Sequence, residues 1–475
     1  MKTERNSSAP QDQDSTQAAE HYSKPWITDT GWITGLAGTF TILFLGYAFG
    51  TNHAHLRVWE GFDGSLAEQK QYVMLVALGI VAGVMYTIEL VRLWFFDRTR
   101  FKRLDPMVAK RQYAPFVADC LKRFLLLALL FYFCRLGYMC LNEYGFRDSN
   151  RYYQPWFYTL DILWTLFLIG GLPYIIFTRA YQHDAAADRK DYALLTEKCL
   201  RAVISILPRL HSLKLNFSGD DGRAARGLAV KFFFAPVMTV FFFDNFSHLQ
   251  NNIDYFLSDA LPHMLSGEYN KNNLNRDLGN ILSTVIFSID VGLAWCGYVI
   301  TSRWVDNQTI SAEPTMLGWI VCLISYPPFR VIGGWFLTGP GESLYNQIPN
   351  QALVGVFGGM MMLSYFLYML PTIWFGLRFS NLTHRGIIRK GPFAIVRHPA
   401  YAAKNFAWWC VGFPAAIWAG STRSWEEGFL YIAGLIFLTS IYWARALTEE
   451  RHLSMDPDYR EYCRRVPYRF IPRLV

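Results

Sequence analysis

Residues Leu353–Phe375 read LVGVFGGMMMLSYFLYMLPTIWF, a run without one charged side chain. A bilayer core asks for about 20 mostly apolar residues per spanning helix, and this run meets that length. Working outward, nine further stretches approach the same pattern. They are Trp32–Gly50, Tyr72–Val91, Phe124–Leu141, Phe157–Phe177, Leu228–Phe243, Leu282–Ile300, Thr315–Phe336, Asn405–Ala419 and Phe429–Arg445. Leu228–Phe243 and Asn405–Ala419 are short, and Pro327-Pro328 interrupts Thr315–Phe336. The expectation is an all-α polytopic membrane protein with about ten transmembrane helices.

Composition agrees with that reading. The chain has 475 residues, 52% hydrophobic and only 17% charged, with a mean hydropathy of +0.14. Soluble domains carry about 25% charge, so the polar surface is too small for several water-soluble domains, and disorder or coiled coil is excluded for the bulk. The net charge of +8 fits basic cytoplasmic loops better than a nucleic-acid partner. With ten spans, alternate loops hold 34 Lys and Arg on one side and 7 on the other. That bias predicts both termini in the cytoplasm. The polar first 25 residues lack an apolar signal region and read as a disordered tail. A soft boundary near 305 separates a six-helix bundle (26–304) from a four-helix module (305–475). Eight cysteines show no CxxC and no metal-ligand spacing, so neither a disulfide framework nor a metal is expected.

Arg135, Asp161 and Asp290 fall well inside apolar runs, and Glu89 and Lys231 fall nearer the ends. A charge at the bilayer centre costs roughly 2.5–3.5 kcal/mol, so each needs a partner or a wet cavity. An interhelical pair of Arg135 with Asp161 is the simplest arrangement; a polar substrate path or proton relay is the other.

The chemistry-bearing text lies near the C-terminus. It runs Gly386-IIRKGPFAIVRHPAYAAKNFAWW, then Trp443-ARALTEERHL, then DPDYREYCRRVPYRFIP. Arg397, His398 and Tyr401 precede the ninth span, while Arg445 and Glu449 share a face at i and i+4 near the end of the tenth. A short loop joins these spans, so they form an antiparallel hairpin and bring both clusters to one membrane face. There a carboxylate can accept hydrogen bonds from a ribose or amine, and a guanidinium can hold an acidic group. The plain alternatives are that Arg389, Lys390 and Arg397 are anchors, that His398 is a turn residue, and that Arg445–Glu449 is a helix pair worth about 0.3–0.5 kcal/mol.

The ordered set GPF-x2-VRHPAY, hairpin, TEE-x2-L and Y-x2-Y-x3-VP resembles the isoprenylcysteine carboxyl methyltransferases and their phospholipid-methylating relatives over about Arg385–Pro472. Those are integral membrane enzymes that use S-adenosylmethionine. The resemblance implies cofactor contacts from Arg385, Gly386, Ile387, Ile388, Phe393 (Tyr in the best-known members), His398, Pro399, Ala400, Tyr401 and Glu449. It implies that Arg445 lies beside the substrate. Some relatives have His at the first position of the Arg385–Ile388 strip, whereas His384 stands one place earlier here. The substrate class implied is a lipid-soluble or lipidated molecule, methylated on a carboxylate or an amine, in a bacterial inner membrane or the endoplasmic reticulum. A carboxylate acceptor is already ionised at neutral pH; an amine acceptor needs a base, for which His398 is the first candidate.

The tail EYCRRVPYRFIP also resembles the sterol Δ14/Δ7 reductases, which bind NADPH. Their Arg-His motif lacks the proline found here as Pro399, and an acidic residue follows its Tyr where this chain has Ala402-Ala403. The methyltransferase reading is therefore favoured over an NADPH-dependent reductase. A non-enzymatic lipid-binding or transport protein is the third reading; it would give Arg135, Asp161 and Asp290 the larger role.

Overall fold

Inside a bilayer every backbone amide must be satisfied within its own segment, which leaves long apolar runs one regular solution, the α-helix. The computed structural model describes residues 24–50, 66–96, 113–144, 152–180, 192–205, 219–269, 274–330 and 344–474, and it is almost wholly helical. In chain order the helices are α1 (Trp32–Gly50), α2 (Leu66–Phe96), α3 (Tyr113–Cys140), α4 (Gln154–Ala180), α5 (Tyr192–Ser205) and α6 (Gly219–Tyr255). A π-helical turn, Phe256–Ala260, leads α6 into the short α7 (Leu261–Ser266), and α8 (Leu274–Val299) follows. Next come strand β1 (Ser311–Ala312), α9 (Met316–Leu323), α10 (Gln351–Phe375) and strand β2 (Thr383–His384). The chain closes with α11 (Pro399–Thr422), α12 (Trp425–Leu453) and α13 (Pro457–Arg465).

Among the described residues, seven helical segments are long and apolar enough to cross a membrane: Trp32–Phe49, Tyr72–Phe96, Gln154–Ala180, Gly219–Ser266, Arg276–Val299, Gln351–Arg378 and Trp425–Leu453. This is a multi-pass membrane protein. Helices α3 and α11 add 28 and 24 residues, respectively. The stretch expected at Thr315–Phe336 differs. Its helix α9 spans only 8 residues, about 12 Å at 1.5 Å per residue, and ends ahead of the Pro327-Pro328 pair. Residues 331–336 of that stretch, and all but the end of the expected N-terminal tail, lie outside the described residues. The short run Leu228–Phe243 is the middle of a much longer helix. Asp220 and Asp221 start α6 where the helix dipole favours acids, and polar residues then carry it past the apolar run.

The core is where α1, α2, α6, α8 and α10 meet, around Ile42, Leu78, Met85, Phe234, Phe242 and Leu293. At Gly35 a Cβ would sit 2.0 Å from the Ile373 carbonyl oxygen, so α1 and α10 touch backbone to backbone. Small residues serve this purpose between membrane helices. Arg135 pairs with Asp161 across α3 and α4, and Asp290 accepts from Thr372 and Tyr368. Glu89 sits among Arg92, Arg378 and Thr34.

One end of the bundle gathers the irregular chain. There β1 pairs antiparallel with β2, Ser311 opposite His384. Both ends of the described chain pack at this end as well. Thr28 Oγ1 donates to the Ile387 carbonyl, while Arg397 and His398 donate backbone N–H bonds to the carbonyls of Tyr468 and Arg469. Leu344, Tyr345 and Ile348 instead pack against Ala415, Ala416, Ala419 and Tyr431, at the α11–α12 turn, which is the opposite end of that hairpin.

Candidate functional site

The wall of the site begins where α10 ends. After β2 the chain runs extended from Arg385 to Lys390 and turns at Gly391-Pro392. Gly391 has φ +63°, and a Cβ there would meet the Trp374 indole at 2.1 Å, so only glycine permits this turn. The strip is held from both sides. Asp29, in the segment before α1, receives Arg389 at 2.8 Å. On the other side His384 Nδ1 accepts from the Gly386 N–H at 3.0 Å, which leaves Nε2–H to donate to Asp456 at 2.7 Å.

That last bond fixes a titration. The His384 hydrogen bond holds the Asp456 carboxyl below its ordinary 3.8. A carboxyl depressed on folding adds stability above the ordinary value and loses it as pH falls through the folded one. Release of the α13 tail is therefore expected only in acid below about pH 4, read as new proteolytic cuts after Ser454. An Asp456→Asn variant should release the tail at neutral pH; tail protection unchanged in that variant would contradict the clamp.

Pro399 opens α11 at its first turn, where a missing N–H costs nothing. His398 immediately before it is 7% exposed, and its ring stacks on Tyr401 at 5.4 Å with 5° between planes. From α12, two successive glutamates meet this pair on different sides. Glu450 is buried and pairs with His398 Nε2 at 3.2 Å, Arg469 at 3.0 Å and Arg397 at 3.4 Å. Glu449, with its side chain 43% exposed, lies 3.8 Å from His398 Nδ1 and accepts from the Tyr401 hydroxyl at 2.9 Å. One turn back on α12, the Arg445 guanidinium lies over the rings of Tyr401 (5.1 Å) and Tyr442 (4.8 Å). Its polar contact is Asn381 Oδ1 at 3.4 Å, with no carboxylate within ion-pair distance among the described residues.

His398, Tyr401, Tyr442, Arg445 and Glu449 line one cavity. Every residue that the resemblance assigns to cofactor or substrate is on its wall: Arg385, Gly386, Ile387, Ile388, Phe393, His398, Pro399, Ala400, Tyr401, Arg445 and Glu449. The sequence reading missed the far wall, which includes Tyr326, Tyr368, Thr372, Asn381 and Lys404. It missed the tail tyrosines Tyr459 and Tyr462, which close the cavity beside Phe393. The amphipathic spacing of those two tyrosines on α13 was a usable signal. Nothing in the sequence alone ties Asn381 to Arg445.

Glu449 offers a carboxylate to hydroxyl or amine donors. The Phe393 ring offers apolar surface and a π system to a ligand, and Arg445 offers a charge to an acid. No family model, no curated protein and no solved structure matches the chain.

Proposed function

We propose that this chain is an integral membrane S-adenosylmethionine-dependent methyltransferase acting on a lipid or prenylated acceptor. The observation that carries the reading is the convergence of His398, Tyr401, Arg445 and Glu449, from two helices, onto one cavity with the 385–388 strip. In bound form the sulfonium supplies an already activated methyl group, so alignment is the main task left to the protein.

The residues divide that task. Glu449, half exposed and held by Tyr401, accepts hydrogen bonds from the ribose or amine of the donor. Backbone groups of Gly386–Ile388 and the Phe393 ring border the nucleoside. Arg445 holds the acceptor's acidic group, and the hydrophobic part of the acceptor enters from the lipid side. For a carboxylate acceptor no base is needed. For an amine, His398 Nδ1 is the base, because Glu450 occupies Nε2.

The loop charge pattern reads best as ten crossings, with both termini and the site on one side. The loop charge bias makes that side cytoplasmic, in a bacterial inner membrane or the endoplasmic reticulum.

The test is label transfer. Purified full-length protein incubated with methyl-labelled S-adenosylmethionine and membrane lipids, or a prenylcysteine analogue, should move label into the organic phase. Arg445→Leu should lower kcat/KM for an acidic acceptor by about 10–100-fold, the worth of a charge-assisted hydrogen bond. Label that stays in the aqueous phase with every acceptor would overturn the proposal.

A further inference from the structure

One stretch of the cavity wall carries unbalanced charge. Arg385 is 4% exposed and lines the cavity. Its Nη1 donates to the Gly297 carbonyl of α8, while Nε and Nη2 meet no partner among the described residues. Those two nitrogens form one edge of the planar guanidinium. Their parallel N–H bonds match the two oxygens of a carboxylate or phosphate. A buried native polar group without a partner asks for an explanation, and here both donors of a bidentate edge are vacant together.

A second basic side chain adjoins the first. Lys231, from α6, and Arg385 interact electrostatically, and Tyr192 interacts with both. The Lys231 ammonium donates to Thr301 Oγ1 at 2.6 Å and sits 5.7 Å above the Tyr192 ring. Among the described residues neither Lys231 nor Arg385 has a carboxylate within ion-pair distance. Among the described residues, Thr309 Oγ1 and, two residues before Arg385, Thr383 Oγ1 are also buried without a partner. Thr309 and the Tyr192 hydroxyl both lie against Gly227, one turn before Lys231. Burial pushes the Arg385 guanidinium down to about 10, which leaves it charged at neutral pH. An enclosed guanidinium without a counter-ion is costly, and a bound anion offsets that cost.

We propose that the seam between Lys231 and Arg385 is an anion-binding subsite of the cavity. The N-terminal bundle builds it through Lys231, and the C-terminal module builds it through Arg385. Its ligand is the carboxylate or phosphate oxyanion of whatever molecule fills the cavity. Two sources share that chemistry, the amino-acid end of the methyl donor and the acid group of a lipid acceptor. The six helices ahead of the module thereby supply part of a binding site rather than support alone.

The test uses full-length protein in detergent, with inorganic phosphate as the probe and chloride at matched ionic strength as the control. Phosphate should raise the unfolding midpoint saturably in the wild type. In Arg385→Gln and Lys231→Met the response should vanish or need about tenfold more phosphate. Lys231→Met keeps the test decisive if Arg385→Gln does not fold. No saturable rise in the wild type, or the same rise in both variants, would overturn the subsite. No methyl donor is present in this arm, so its outcome is independent of the methyltransferase reading on which the choice of ligand rests. A second arm compares S-adenosylhomocysteine with its decarboxylated analogue. A wild-type preference for the acid that is lost in Lys231→Met assigns the subsite to the donor. Equal binding, with the phosphate response retained, assigns it to the acceptor.

Discussion

Glu449→Gln should weaken binding of S-adenosylhomocysteine by about 10–100-fold, the range of one charge-assisted hydrogen bond, and leave the unfolding midpoint nearly unchanged. The reason is geometric. The Glu449 side chain is 43% exposed to the cavity, and among the described residues its one hydrogen bond is that received from Tyr401. Its neighbour makes the control. Glu450→Gln should cost stability on the order of 3 kcal/mol, because Glu450 is the shared counter-ion of His398, Arg397 and Arg469. Two adjacent glutamates in one helix thus predict opposite phenotypes, one in ligand calorimetry and one in thermal unfolding. Equal phenotypes would show that the cavity face of α12 has been assigned to the wrong residue.

The largest stability effect is expected from Glu89→Gln. Glu89 is 1% exposed and is the counter-ion of Arg92 at 2.5 Å and Arg378 at 3.0 Å, both nearly buried. Thr34 completes its shell, while Asp306 reaches Arg378 only at 3.4 Å. Neutralising Glu89 strands two guanidinium groups among α1, α2 and the end of α10, at a cost of roughly 3–5 kcal/mol. Thr34→Val removes one hydrogen bond and should cost about 1 kcal/mol. Denaturation in a fixed detergent separates the two. Comparable small losses in both variants would mean that water, not the ion network, satisfies this junction. Because Arg378 also lines the cavity, the Glu89 variant should lose ligand binding along with stability.

Much of this architecture is legible in the sequence, for identifiable reasons. Bilayer thickness is a length rule, so Trp32–Gly50 reproduces α1 to the residue and Leu353–Phe375 falls within two residues of α10. An intramembrane charge demands a partner, and Arg135 has its partner in Asp161. The i,i+4 rule puts Arg445 and Glu449 on one face, and both line the cavity. Other features are hidden. Hydropathy marks only the apolar part of a helix, so the polar ends of α6 escape it. Thr315–Phe336 looks continuous by composition, but its helix stops at Leu323. The β1–β2 pairing and the Lys231–Arg385 seam join residues more than 70 positions apart, a proximity that periodicity does not encode. His384 stands out in the sequence only as a register shift. In the structure it is the peg that locks the strip to Asp456.

The central claim is that the cavity between α10, α11 and α12 grips a methyl donor. Calorimetry on the detergent-purified full-length chain, with S-adenosylmethionine, S-adenosylhomocysteine and NADPH titrated in parallel, tests it most directly. The expected result is saturable one-site heat from both adenosyl compounds, diminished in Glu449→Gln, and none from NADPH. Saturable heat from NADPH alone would contradict the account and move the chain to the reductase reading.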